Sequence, residues 1–228
     1  MEDDRSHQLA WARSENGIAY PPAPWRLGGS LVASLWSIRR RDLPSAILDD
    51  RLPTQRWFGR CVLATGFAVY EPGGVLAYDE LLLALRVRAS GRGMVNVPRI
   101  WVDSSASIAG ARALWSVPKE SADFSADHST SGDDARTERR FEARREEGIL
   151  ARMCFRRRVA LPGWWRASTS IAQMDGDGLK ITQVQALSRI AIGSARWDFP
   201  PESPLAFLRG HRPVVSLRLH RMTMAFGI

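Results

Sequence analysis

Lysine is almost absent from this chain. Its 228 residues include thirty arginines and only two lysines, Lys119 and Lys180. Arginine can replace lysine wherever a positive charge suffices. It cannot supply a neutral amine to attack a carbonyl, because guanidinium stays protonated in proteins. A lysine kept in the apolar stretch Trp115-Ser-Val-Pro-Lys119-Glu120 is therefore a candidate for amine chemistry. Cysteine is equally scarce. Cys61 and Cys154 form neither a CxxC pair nor a disulfide framework, which points to a reducing cytoplasm. The four histidines, His7, His128, His211 and His220, show no HxxH or HExxH spacing, so no metal site is predicted, and no cofactor is expected. No apolar run has the length of a membrane-spanning helix. The N-terminal Met1-Glu-Asp-Asp-Arg5 is acidic, unlike the basic start of a signal peptide, and no membrane partner is expected.

What the chain does contain is a globular composition. Hydrophobic residues make up 45%, and nine tryptophans supply large surfaces to bury, which argues against disorder. The net charge of +8 comes from the arginine excess, and no nucleic-acid-binding motif accompanies it. The runs Arg39-Arg-Arg41 and Arg156-Arg-Arg158 read as solvated charge, and nucleic acid is not an expected partner.

Turn signals divide the rest. Residues 1–17 are polar and read as a flexible N-terminus, and residues 18–228 read as one domain. Leu31 to Ile38, 61–70, 77–87 and 95–102 have strand character, and Glu71-Pro-Gly-Gly74 marks the turn between the second and third. Ser104 to Trp115 is helix-compatible, with Asp103 or Ser104 able to cap its first turn and Val117-Pro118 expected to end it. Residues 125–148 are rich in Ser, Asp, Arg and Glu and read as a polar insertion. Asp175-Gly-Asp-Gly178 is a hairpin signal, and Pro213 to Phe226 is expected to be the strand that closes the sheet. Short strands with few helices give an α+β, mainly β class, as an antiparallel barrel or sandwich.

The stretch from Trp101-Val-Asp103 through Gly110-Ala-Arg112 to Pro118-Lys119 resembles the acetoacetate decarboxylase superfamily. Tyr20-Pro-Pro-Ala-Pro-Trp25, Tyr78-Asp-Glu80, Pro204 to Pro213 and Met224-Ala-Phe-Gly227 are similar to other segments of that family. The 39 residues from Glu80 to Lys119 fit its register. The resemblance implies an antiparallel β-barrel with a few short helices, a homo-oligomer, and a small-molecule oxo acid as substrate. It also implies a Schiff base on Lys119, with Glu80 as proton shuttle and Trp115 among the walls of the site. Trp101, Ile108, Leu114 and Val117 are expected to add dry surface that lowers the lysine pKa. Activation of the nucleophilic lysine in this way is an established property of acetoacetate decarboxylase, so here it is implied by the resemblance.

Three positions depart from the family pattern. Glu120 stands where decarboxylases carry a second lysine. Thr65 lies nearest to the place of a second active-site glutamate, and Ser30 nearest to that of an arginine, so the resemblance implies that Ser30, Thr65 and Glu120, with Trp115, contact the substrate. The resemblance therefore implies lyase chemistry, by decarboxylation, aldol cleavage, dehydration or cyclisation, on a β-keto or other oxo acid, with a larger and more apolar oxo substrate favoured over acetoacetate. A degenerate member that binds an apolar small molecule in its pocket is the alternative.

Overall fold

The computed structural model describes residues 10–126 and 138–228. Its strands are β1 (Ala12–Arg13), β2 (Ala19–Tyr20), β3 (Trp25–Arg39), β4 (Arg56–Trp57), β5 (Arg60–Glu71), β6 (Tyr78–Ala89) and β7 (Arg92–Val102). The helix α1 (Ser105–Trp115) follows, and then β8 (Lys119–Ser121), β9 (Asp123–Ala126), β10 (Glu138–Arg145), β11 (Gly148–Ala160), β12 (Trp165–Asp175), β13 (Gly178–Asp198) and β14 (Val215–Phe226). β1 and β2 form a separate small hairpin, and β1 lies within the stretch read as a flexible N-terminus. The other twelve strands make one sheet, ordered β12-β7-β6-β5-β3-β14-β13-β11-β10-β9, with β4 on β5 and β8 on β7.

The expected antiparallel β-barrel does not form, although the mainly β, α+β class holds. β12 runs antiparallel to β13 along its whole length, from Trp165↔Ser188 to Asp175↔Gly178. Against β7 it makes one parallel pair, Ile171↔Val95, and no ladder. Side-chain amides hold that seam instead. Asn96 Nδ2 donates to Ala172 O (2.9 Å) and Gln173 Oε1 (2.6 Å), and Gln173 Nε2 donates to Val97 O (2.9 Å). Beyond β13 the sheet runs on through β11 and β10 to β9, its last strand among the described residues. β14 is likewise not a closing strand: it lies between β3 and β13.

Local chemistry explains the elements. The turn after Glu71 pairs Tyr70 with Tyr78, and the two-residue turn at Gly176-Asp177 pairs Asp175 with Gly178; Gly176 takes the left-handed φ of 57° that such a turn favours. Ser104 caps α1, its Oγ accepting from Ser107 N at 3.2 Å. Ser116 ends the helix in the left-handed region, its N–H bonding back to Arg112 O at 3.0 Å. The polar stretch 125–148 is only partly open to comparison, since 127–137 lie outside the described residues. Glu138–Arg145 is not a surface excursion: it pairs with both β9 and β11 and buries Phe141 and Ala143.

Successive residues of a strand face opposite sides. On β5 and β6, Leu63, Phe67, Leu81, Leu83 and Leu85 pack into one large core that contains Trp36 and Phe155. Gly66, Ala68, Tyr70, Tyr78, Glu80 and Leu82 fall on the other side by the same alternation. There, a T-shaped contact between Trp25 and Trp115 (4.8 Å between centroids) and the Phe226 ring form a second apolar cluster against α1. The opposite faces of β5 and β6 are both covered, which is why Leu81 to Leu85 reads as an unbroken apolar run.

Candidate active site

Lys119 opens β8, which runs parallel to β7 with Lys119 beside Ile100. On the other side of β7, Glu80 of β6 stands opposite Val102. Both side chains are turned to the face that carries Tyr78, and both residues are buried, at 5% and 4% exposure. Lys119 Nζ donates to Glu80 Oε2 at 2.7 Å, to Ser107 Oγ at 2.9 Å and to the Tyr78 hydroxyl at 3.0 Å. It also lies 4.6 Å from the centre of the Tyr78 ring. Ser107 is supplied by the first turn of α1, so the cap at Ser104 fixes one partner of the amine.

Burial alone pushes the Lys119 ammonium toward a lower pKa. The charge of Glu80, then Tyr78 and the hydrogen bonds to both, outweighs burial and holds the pKa above the ordinary lysine value. The expected lowered pKa therefore does not describe the ligand-free site. Its basis is incomplete: it counts the dry walls and not the carboxylate in contact. Burial, reinforced by Glu80, also raises the Tyr78 hydroxyl against the opposing pull of Lys119 and a hydrogen bond with Ser107. Burial raises Tyr70 far above its usual range, with Glu80 and Tyr78 adding to it.

The amine forms part of the wall of a cavity of about 160 Å³. Taking roughly 30 Å³ per water in the liquid, that is room for about five waters. It is smaller than the range of about 300–1,000 Å³ usual for drug-sized ligands. Tyr70, Tyr78, Thr169 and Thr182 are among its lining residues, and Trp25, Trp115, Val117 and Phe226 are among its apolar walls. Among the described residues, no group of three His, Cys, Asp or Glu side chains is placed to hold a metal ion.

Of the residues singled out in the sequence, Lys119, Glu80, Trp115 and Val117 meet at this cavity. Trp101 packs in the opposite core, and Ile108 and Leu114 lie behind the lining. Ser30, Thr65 and Glu120 do not line it. Ser30 pairs with Val69 in the ladder of β3 and β5. Thr65 is fully buried on the other face, its Oγ1 accepting from Trp36 Nε1 at 2.9 Å. Glu120 turns away from Lys119 to accept from Arg145 Nη1 at 2.6 Å, with Arg99 Nη1 at 3.9 Å. Tyr70, Tyr78 and Ser107 had no role assigned from the sequence. Two of them carry a signal there: Tyr78 is two residues from Glu80 and so on its face, and Tyr70 is opposite Tyr78 across the turn. Ser107 has none beyond its place in the first helical turn.

Known structures share this architecture. An acetoacetate decarboxylase from Legionella pneumophila superposes with a TM-score of 0.64 at 16% identity, covering 90% of this chain and 86% of its own. An acetoacetate decarboxylase-like enzyme from Sphingomonas wittichii RW1 gives 0.65 at 15% identity, with 95% and 96% covered. The enduracididine biosynthesis enzyme MppR, in complex with pyruvate, gives 0.61 at 15% identity, with 93% and 91% covered. At these identities the likeness is one of fold. No curated protein sequence matches the chain. The family model of acetoacetate decarboxylase (ADC), however, matches residues 45–162, a span that contains Glu80, Ser107 and Lys119 and exceeds half the chain. This chain belongs to the acetoacetate decarboxylase family.

Proposed function

We propose that the chain is a Schiff-base-forming lyase in which Lys119 is the nucleophile and Glu80 carries the protons. The observation behind this reading is one buried amine, 2.7 Å from one buried carboxylate, at the wall of an apolar cavity. An amine must be neutral to attack. At that distance the ammonium proton can pass directly to Glu80, and the reaction draws on the minor neutral pair, which burial favours and the contact of the two charges opposes. Nζ then adds to the carbonyl carbon of a small oxo compound. Its second proton moves to the carbonyl oxygen, the Glu80 acid protonates the resulting hydroxyl, and water leaves to give an iminium facing the Glu80 carboxylate. The iminium accepts the electron pair of the bond that breaks, and Glu80 serves as the acid or base of later steps. Tyr78 and Ser107 hold Nζ in line through their hydrogen bonds.

A second reading has its own support. Glu80, Tyr78 and Ser107 together engage three hydrogen bonds of the ammonium, the full donor capacity of lysine, inside mostly apolar walls. That arrangement also suits an inert ion pair in a pocket that binds an apolar molecule. Incubation with a panel of oxo compounds and borohydride separates the two. The lyase reading expects a stoichiometric mass increase that peptide mapping assigns to Lys119. A panel that leaves the mass unchanged, or an adduct on Lys180 alone, refutes it in favour of the binder.

A further inference from the structure

The sequence holds thirty arginines, yet none of the described ones lines the cavity. Among the described residues its lining has one cation, Lys119, and one anion, Glu80, and these are bonded to each other. The other lining residues that carry a hydroxyl are Tyr70, Tyr78, Thr169 and Thr182. Charge is therefore balanced before a ligand enters. It is balanced again when a neutral carbonyl compound has condensed, because the iminium replaces the ammonium opposite Glu80.

A substrate carboxylate breaks this balance. It would stand as a second anion beside Glu80, with no arginine fork or second lysine among the described lining residues to receive it. An ionised carboxylate moved from water into such walls is strongly disfavoured unless paired and hydrogen-bonded. Glu120, the charge next to Lys119 in sequence, faces Arg145 outside the cavity and is itself an anion.

Building on the Schiff-base reading, we infer that the substrate is an uncharged aldehyde or ketone that places apolar substituents, not a carboxylate, in the cavity. Such a substrate has no carbon dioxide to lose, so another bond near the iminium carbon breaks, and retro-aldol cleavage of a β-hydroxy ketone shows how Glu80 would serve. Once the iminium has formed, the Glu80 carboxylate takes the β-hydroxyl proton. The bond between the α and β carbons breaks, an aldehyde departs, and the bonding pair neutralises the iminium as an enamine. The Glu80 acid then protonates the α carbon. Water adds to the regenerated iminium and releases a ketone and the Lys119 amine, so one β-hydroxy ketone becomes one ketone and one aldehyde.

Two pairs of probes matched in non-hydrogen atoms test the inference: 4-oxopentanoate against 5-methylhexan-2-one, and pyruvate against 3-methylbutan-2-one. In each pair an isopropyl group replaces the carboxylate. Borohydride trapping rates are divided by those of a free amine to remove intrinsic reactivity, and peptide mapping confirms the adduct on Lys119. The expected result is a preference for the neutral ketone of at least about 100-fold, or about 2.8 kcal/mol at 1.4 kcal/mol per tenfold. Equal rates, or faster trapping of either oxo acid at Lys119, overturn the inference and leave the Schiff-base reading intact. If none of the four compounds is trapped at Lys119, both fall together.

Discussion

Replacing Glu80 with glutamine keeps the shape of the site and removes the counter-charge of Lys119. The ammonium is then buried with only hydroxyl and amide partners, and removing one partner of a buried pair costs about 3–5 kcal/mol. That is a large share of the roughly 5–15 kcal/mol by which domains are stable. The effect has a pH signature. In the wild type the folded-state pKa of Lys119 lies above its ordinary value. Its contribution to stability is therefore complete below the unfolded pKa of about 10.4 and is lost only as pH rises through the folded one. In E80Q, burial loses the largest cause opposing it and only Tyr78 remains against it, so the folded pKa is expected to fall below the unfolded one. Between those two values the unfolded chain binds more protons, so stability rises with pH by up to about 1.4 kcal/mol per unit. Urea unfolding from about pH 7 to 10 distinguishes the two: E80Q gains stability over a range in which Lys119 gives the wild type no such slope. The double variant E80L/K119M, which removes both charges at once, should recover most of the loss at neutral pH, because apolar replacement of a buried pair is often neutral or better. A single and a double variant equally destabilised, with E80Q parallel to the wild type in pH, would refute the buried pair as the organising feature of the site.

Four other variants or assays follow from the same geometry. Lys119→Arg should fold and form no reducible adduct. Lys180→Arg should react like the wild type, since Lys180 is paired with Asp175 at 2.9 Å on the surface; intact-mass analysis after borohydride reads both. Gly110→Ala should cost about 1–3 kcal/mol by overpacking, because its Cβ would lie 2.4 Å from Trp25 Cζ2, and that ring is held edge-on against Trp115; thermal unfolding measures it. Acetoacetate should release carbon dioxide at a rate little above background, for want of a cation to hold its carboxylate, and turnover on the order of 10 per second would contradict that.

The fold is legible where local chemistry decides it. Glu71-Pro-Gly-Gly74 and Asp175-Gly-Asp-Gly178 mark turns whatever surrounds them, and Ser104 is a cap because of its own hydroxyl. Sheet closure is different, since it depends on two strands that are far apart in sequence. β7 and β12 meet through Asn96 and Gln173, and no periodicity in either strand announces that a side-chain seam will stand where a ladder is expected. The span 138–148 departs from expectation for a related reason. Its charge suggests solvent, yet Phe141 and Ala143 alternate with charged neighbours, and that alternation is sufficient for a strand with one buried face.

The three residues placed off the cavity, Ser30, Thr65 and Glu120, miss it in a common way. Ser30 precedes Leu31, Thr65 precedes Gly66, and Glu120 follows Lys119. Leu31 and Lys119 line the cavity, and a Cβ at Gly66 would touch Leu31 and Leu82, which also line it. Each chosen residue is thus one step from a position on the cavity face. In a strand one step reverses the side chain, so a match that is right in neighbourhood can be wrong in face. Counting by twos from Glu80 instead reaches Tyr78, and the pairing of Tyr78 with Tyr70 across the turn reaches the third wall residue without any family pattern. Parity within the strands, anchored on the one buried acid at the cavity, is therefore the stronger guide to the surroundings of the lysine. It leads to hydroxyls and apolar side chains where the family pattern suggests charges, and this is the physical basis for expecting an uncharged substrate.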